Sequence, residues 1–397
     1  MSDEQWMDRA IARARKGRVS PNPQVGAVLV EDGRVLGEGF HEVRGGAHAE
    51  RNAIDDAVRR SGTSRFPNAT LYCTLEPCCY THPSKRQPPC TSAIIEAGIS
   101  RVVLAHRDPN PNVRGRGCDL LRKQGIVVET GCRRQAAQEL NSGFITRMLS
   151  GKPHVRIKLA QSVDGRIASI TGDSRWISDE QARRRVHEMR AASDALMVGT
   201  GTIRADNPRL DVRHVEGANP RIIIPDPLLS VSPESRAVKE GTVIFHIADA
   251  PGERRSLFEE SGAELCELPQ PNQQADQQPN PQENRQNDKQ KNPQPNRQAD
   301  RISLNDMLLE LGRRQINTLL VEGGAGIATS LIREGLFDEL ILFIAPMLIG
   351  RGLAGIGELG IRNVEESERL SHVSWEVIGD QVMFRGRRRG AVCLQEL

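Results

Sequence analysis

AHAERNAIDDAVRRSGTSRFPNATLYCTLEPCCYTHPSKRQPPCTSAIIEAGISRVVLAH, residues 47–106, carries the reading of the fold. Ala47 to Arg60 has helical spacing of its apolar positions. ATLYCTL (69–75) has the length and composition of a strand. Thr91 to Ala97 is helical again, and RVVLAH (101–106) is a second strand. Helix and strand in alternation imply a sheet covered by helices, an α/β layer. The flanks extend the pattern. Trp6, Ala10, Ile11 and Ala14 recur at helical spacing within 4–17, and Ser20-Pro21-Asn22-Pro23 then breaks the chain. VGAVLV (25–30), a turn at Glu31-Asp32-Gly33 and RVLGEGF (34–40) read as a strand hairpin. CDLLRKQG (118–125) is a short helix ended by Gly125, and IVVET (126–130) is another strand.

A second α/β unit begins near Lys152-Pro153. Its strands are VRIKLA (155–160), ALMVG (195–199), RIIIPD (221–226), TVIFHIA (242–248), NTLLVE (317–322) and ELILFIAPMLIG (339–350). Its helices cover 179–192, 304–314 and 327–335. The predicted domains are therefore 1–150 and 151–397. Residues 270–300 break the pattern, with ten Gln, six Asn and five Pro and only Ala275 and Ala299 as apolar side chains. Such a stretch cannot bury enough surface to offset its ordering entropy, so it is predicted to be a disordered insertion in the second domain.

At 397 residues the chain suits two or three domains. A net charge of +3 and 3% aromatic residues argue against wholesale binding of nucleic acid. No apolar run approaches the roughly 20 residues that span a bilayer, and the N-terminus lacks the apolar core of a signal peptide, so a cytoplasmic protein without membrane contact is expected. Eight cysteines in such a chain do not suggest a disulfide framework. Cys73, Cys78, Cys79 and Cys90, separated by prolines, suggest a metal or catalytic site instead.

His48-Ala49-Glu50 and the later Pro-Cys segments form the first chemical constellation. One histidine and two thiolates hold Zn²⁺ tetrahedrally and leave a position for water, and a carboxylate that is not a ligand can then move protons. Zinc nucleobase deaminases show this as H-x-E followed by P-C-x-x-C. Here Cys78 and Cys90 stand twelve apart rather than three. The alternative is a closed structural site built from His48 with three of Cys73, Cys78, Cys79 and Cys90. Cys78 is preferred to Cys79 because it follows Glu76-Pro77, and Cys73 reads as core. His82 is open between a substrate contact and a surface residue. In the second domain VEGGAGIA (321–328) reads as strand, Gly-rich turn and helix start, which favours phosphate, although the same glycines also read as a tight turn.

SPNPQVGAVLV (20–30), GAHAE (46–50), TLEPC (74–78), PPC (88–90) and DPNPNVRGRG (108–117), taken together in that order, resemble the bifunctional deaminase/reductase family of riboflavin biosynthesis, RibD. KPHVRIKLAQSVDGRIASITGDSRW (152–176), GTGTIRADNPRL (199–210) and LLVEGGAGIA (319–328) resemble that family's second domain. The resemblance implies a cytidine-deaminase-like α/β/α domain followed by a dihydrofolate-reductase-like α/β domain. It implies one zinc ion per chain on His48, Cys78 and Cys90, Glu50 as proton shuttle, and substrate contacts from Asn22 and His41. The inter-cysteine segment is longer here than in the family, and Lys85 and Arg86 in it are candidate local contacts. For the second domain the resemblance implies NADPH at Ala160, Trp176, Thr202, Asp206, Gly324, Ala325 and Gly326. It places the sugar phosphate at Ser174, Arg190, Leu210, Arg213 and Glu322, with Lys158 and Asp206 organising hydride delivery. The substrate would be a small pyrimidine ribosyl phosphate, and the protein a homo-oligomer.

Overall fold

The structure is a computed structural model that describes residues 1–81, 88–269 and 302–391. His82, Lys85, Arg86 and the Gln/Asn-rich 270–300 stretch lie outside the described residues. The chain divides into two compact units, the first running from Met1 to His154 and the second from Val155 to Ala391.

The first unit contains α1 (Asp3–Ala14), β1 (Gly26–Glu31), β2 (Arg34–Phe40), α2 (Ala49–Ser61), β3 (Thr70–Cys73), α3 (Cys90–Glu96), β4 (Arg101–Leu104), α4 (Arg116–Lys123), β5 (Val127–Thr130), α5 (Arg134–Leu140) and α6 (Ser142–Ser150). Its strands form one sheet in the order β2-β1-β3-β4-β5. β1 is antiparallel to β2 and β3, whereas β3, β4 and β5 run parallel. Successive strand residues point to opposite faces, and both faces are buried. Ala27, Leu29, Leu71, Val102 and Leu104 pack with Ala53, Ile54, Ile94 and Leu121 from α2, α3 and α4. Val28, Val30, Tyr72 and Val103 pack with Trp6, Met7, Ala10 and Ile11 of α1 and Ala137 of α5. That is the expected α/β/α layering.

The second unit contains β6 (His154–Ser162), β7 (Arg166–Ser169), α7 (Glu180–Ala191), β8 (Ala195–Met197), α8 (Thr200–Asp206), β9 (Arg221–Pro225), β10 (Val243–Ile247), α9 (Gly252–Glu260), β11 (Glu264–Leu268), α10 (Leu304–Arg313), β12 (Thr318–Glu322), α11 (Ala325–Arg333), β13 (Glu339–Ala345), β14 (Gly352–Ala354), β15 (Leu370–Ile378) and β16 (Gln381–Arg388). A nine-stranded sheet has the order β11-β10-β9-β8-β12-β6-β13-β16-β15, and β14 pairs separately with β7. α10 and α11 cover one face through Met307, Leu308, Leu311 and Leu331. α7, α8 and α9 cover the other through Val186, Ile203 and Phe258.

Four features correct the sequence expectations. β13 stops at Ala345 rather than Gly350, because Pro346 has no N–H to donate to a ladder. Thr200–Asp206 form α8, a helix not among those expected. α5 and α6, short helices of seven and nine residues, follow the last expected strand of the first unit and were not among the expected elements. β16 pairs antiparallel with β13 and β15 antiparallel with β16 to close the second sheet, and β15 is so exposed that it lacks the buried alternation of a core strand.

Candidate metal centre and cofactor cleft

Three elements of the first unit deliver the metal-type donors. His48 is the N-cap of α2 and Cys90 is the first residue of α3. Cys78 follows the end of β3. His48 Nδ1 lies 3.2 Å from Cys90 Sγ and 3.5 Å from Cys78 Sγ, and the two sulfurs are 3.4 Å apart. Tetrahedral zinc with Zn–S of about 2.3 Å and Zn–N of about 2.0 Å requires edges of roughly 3.6–3.8 Å, so the three atoms already occupy one face of such a tetrahedron to within a few tenths of an ångström. Cys78 is also held by the Cys90 backbone N–H, at 3.3 Å. Among the described residues this trio is the one group of three that converges as ligands can. Cys79 is not part of it, and Cys73 is buried in the sheet core. The donors therefore fit the ion expected from the sequence.

Glu50 sits in the first turn of α2, two residues from His48, and is 3% exposed. Burial raises its carboxyl above the ordinary carboxylate range, opposed by the His48 imidazole. The same carboxylate approaches Cys90 and the Cys73 thiol. His41 is buried beside the cluster, its ring centroid 5.2 Å from that of His48, and its Nε2 has no hydrogen-bond partner among the described residues. Burial pulls its pKa down, so the ring is a neutral group facing the site. Asn22 lies in the loop that precedes β1, with its backbone N–H donated to Val19 O at 2.8 Å.

Two acids of this region escaped the sequence reading. Glu76 is 2% exposed, and its carboxylate accepts the backbone N–H groups of Asp108, Gly115 and Cys118 at 3.2, 2.9 and 3.0 Å. It thereby fastens the 108–118 loop against the Pro77-Cys78 segment. Burial pushes Asp108 up to about 7, with Glu76, Cys78 and Glu50 adding to the rise. The DPNP motif was the signal for Asp108, but its value lay in a tertiary neighbourhood that spacing does not reveal.

In the second unit a cleft of about 360 Å³ lies at the C-terminal ends of β8, β9 and β12. It is lined by Gly199–Thr202, Pro225, Gly324, Gly326, Ser330 and Arg333, among others. The Thr202 hydroxyl accepts the Gly324 N–H at 2.8 Å and so ties the two Gly-rich turns together. Gly323 has φ +128, and a Cβ there would stand 2.7 Å from Thr202 Oγ1. Crevices at the carboxyl ends of parallel strands are where open α/β sheets bind ligands. Of the expected cofactor residues, Thr202, Gly324 and Gly326 line this cleft. Ala160, Trp176, Asp206 and Ala325 are not among its lining residues. Trp176 is 70% exposed, with the Arg183 guanidinium 4.6 Å above its ring, and Asp206 is exposed at the end of α8.

Of the expected phosphate residues, Arg190 and Glu322 meet directly. Arg190 binds Glu322 through two hydrogen bonds of 2.6 and 2.9 Å and donates a third to Asp211 O at 3.0 Å. Burial alone would raise the Glu322 carboxyl, but Arg190 and Lys158 outweigh it and leave it below the ordinary range. Lys158 shares this neighbourhood, and burial lowers its pKa against the pull of Glu322. Arg213 is exposed, pairs with Asp211 and donates its backbone N–H to His187 Nδ1 at 3.3 Å. Leu210 is buried in the core with φ +54, which leaves its backbone rather than its side chain available. Ser174 is half-buried before the Trp176 turn.

Comparison with known proteins decides the family. Residues 153–384 match the RibD C-terminal domain, and residues 1–106 match the cytidine and deoxycytidylate deaminase zinc-binding region. The riboflavin biosynthesis protein RibD of Aquifex aeolicus is 36% identical over 390 residues, covering 97% of this chain and 98% of that one. This chain belongs to the RibD family. RibD of Escherichia coli is also 36% identical, over 96% of this chain and 98% of its own length. Among solved structures, RibD of Acinetobacter baumannii superposes with a TM-score of 0.79 at 30% identity over 98% of this chain and 99% of that one. A Thermotoga maritima diaminohydroxyphosphoribosylaminopyrimidine deaminase/5-amino-6-(5-phosphoribosylamino)uracil reductase gives 0.78 at 34% identity, again over 98% and 99%. As a RibD the chain is a bifunctional deaminase and reductase of riboflavin biosynthesis that acts on small molecules. Its deaminase domain is of the zinc-binding type, and its reductase domain implies a nicotinamide cofactor. No helix among the described residues is long and apolar enough to cross a membrane.

Proposed function

We propose that the first domain hydrolyses the exocyclic 2-amino group of 2,5-diamino-6-ribosylamino-4(3H)-pyrimidinone 5′-phosphate. The second domain then reduces the ribosyl group with NADPH to give 5-amino-6-ribitylamino-2,4-pyrimidinedione 5′-phosphate. The observation that carries the reading is the convergence of His48, Cys78 and Cys90 beside the buried carboxylate of Glu50. The activity for which the Thermotoga maritima relative is named supports the choice of substrate.

One zinc ion on His48, Cys78 and Cys90 would supply a water activated near neutral pH. Glu50 handles the protons. It takes one from the attacking water and returns it to the departing amine, so that the C–N bond breaks with ammonia as product. A raised pKa suits a group that must both accept and give a proton. His41, neutral and with an unpartnered Nε2, and Asn22 would hold the pyrimidine. In the second domain NADPH would supply the hydride to the sugar carbon. The backbone of the Gly324–Gly326 turn and Thr202 would seat the cofactor, with Ala160, Trp176 and Asp206 as outer contacts. Lys158 and Glu322 would orient the sugar. Arg190, Arg213, Ser174 and the Leu210 backbone would take its phosphate. A shared phosphorylated sugar explains the fusion, because the product of one domain is the substrate of the other.

We further read the chain as a cytoplasmic homo-oligomer that binds neither nucleic acid nor membrane. β15, at the outer edge of the nine-stranded sheet, exposes Val373, Trp375 and Val377, an edge that self-association would cover. Glu50→Gln tests the core of the reading. Ammonia release should be abolished while zinc stays near one ion per chain, and persistent ammonia release would overturn the assigned role.

A further inference from the structure

We infer that Asn141, at the junction of α5 and α6, is the positioning residue for the deaminase substrate wall: it clamps the backbone of Gln24 and so places Asn22 and His41. This inference rests on the reading above in which those two residues touch the pyrimidine.

The geometry is specific. Asn141 Oδ1 accepts the Gln24 N–H at 2.8 Å, and Asn141 Nδ2 donates to Gln24 O at 2.8 Å. A planar side-chain amide pairs here with a peptide group as a neighbouring strand would, using one acceptor and one donor at once. Asn141 is 4% exposed and Gln24 half-buried, so the Asn141 amide has no water as a ready substitute for its partner. The clamp reaches both contact residues through short connections. Gln24 lies two residues after Asn22, and Arg147 of α6 donates to Pro21 O at 3.4 Å on the other side of that residue. Val25 O accepts the His41 N–H at 2.9 Å. The Gln24 side chain donates to Gly17 O at 2.9 Å, and Gly17 abuts His41 O so closely that a Cβ would stand 2.4 Å from it.

Neither α5 nor α6 contributes a ligand to the metal-type trio. Both lie outside the two matched family regions, 1–106 and 153–384. The helix pair therefore acts on substrate geometry rather than on the metal. Misplacing a reacting group by about 1 Å costs on the order of 100-fold in rate. Loss of the clamp should fall within that range and should appear in binding.

Asn141→Leu removes both hydrogen bonds at similar volume. Asn141→Asp keeps the acceptor but sets an oxygen against Gln24 O. In the full-length protein, Asn141→Leu should lose roughly 10- to 100-fold in kcat/KM for ammonia release. The loss should be carried mainly by KM, with zinc content and NADPH oxidation on the deaminated substrate unchanged. Asn141→Asp, with its acceptor opposed to Gln24 O, should lose at least as much; Asn141→Ser, whose hydroxyl can bond one of the two Gln24 groups, should fall between the leucine variant and the parent, and it carries the test if the leucine variant loses zinc. In a double-mutant cycle, Asn22→Ala with Asn141→Leu should be little worse than the worse single variant, because both remove one arrangement. A merely structural residue would give additive losses and a lowered zinc content, and that result would overturn the inference. So would Asn141 variants at parental KM while Asn22→Ala and His41→Ala are impaired. If Asn22→Ala and His41→Ala themselves keep the parental KM, the contact reading fails and the clamp inference falls with it.

Discussion

Replacing Glu76 with leucine removes the shared acceptor of three backbone donors. The Asp108 and Cys118 N–H groups belong to residues 8% and 0% exposed, so no water replaces the lost oxygens there. The half-buried Gly115 N–H can be hydrated. Two stranded donors at about 1–3 kcal/mol each cost about 2–6 kcal/mol of local stability. That corresponds to amide exchange roughly 30-fold to more than 10,000-fold faster across the 108–118 loop. The effect should spread to Cys78, because a Cβ on Gly117 would stand only 2.3 Å from Pro77 O, which shows the loop and the ligand-bearing segment in backbone contact. The assay is hydrogen–deuterium exchange of the full-length chain read by peptide mass spectrometry, with zinc transfer to a chelator followed in parallel. Glu76→Gln, which keeps one carbonyl oxygen, should give a smaller acceleration. Parental exchange over 108–118 in Glu76→Leu would refute the claim that this carboxylate fastens the loop.

Two further outcomes follow from the same geometry. Burial lowers the pKa of His106 from 6.5 to about 4, so the folded state resists a proton that the unfolded state accepts. The His106 contribution to stability should therefore fall as pH drops from 6.5 through 4, by about 3 kcal/mol in total; the raised Asp108 acts in the opposite sense, so the effect is read as the difference between the denaturant-midpoint profiles of the parent and His106→Leu. Gly323→Ala places a methyl against Thr202 Oγ1 at a φ that disfavours a side chain. It should raise KM for NADPH about 10-fold or more and leave ammonia release unchanged, measured with each half-reaction assayed separately.

The parts legible in the sequence were those whose cause is local. Trp6, Ala10, Ile11 and Ala14 at helical spacing do lie buried on α1, and the apolar runs around Leu71 and Val102 do form adjacent parallel strands. The metal-type trio was also legible, because H-x-E and two Pro-Cys steps mark chemistry through residue type. β15 was not, since its outward Val373, Trp375 and Val377 are those of an exposed edge rather than a core strand. α5 and α6 were missed because each is short, seven and nine residues, and Gly143 stands early in the second. Trp176 shows what a local pattern leaves open: its ring is stacked under Arg183 at the surface, outside the residues that line the cleft of Thr202 and Gly324.

By itself the sequence determined two α/β domains, their order and the donor types of the metal-type site, because hydrophobic period and side-chain chemistry are properties of neighbouring residues. Tertiary structure alone decided which groups meet. His48 reaches Cys90 across 42 positions, Asn141 reaches Gln24 across 117, and Arg190 reaches Glu322 across 132. The physical reason is that burial obliges each sheet face and each buried polar group to find a partner, whereas the partner's identity depends on strand order and packing, which no local pattern encodes.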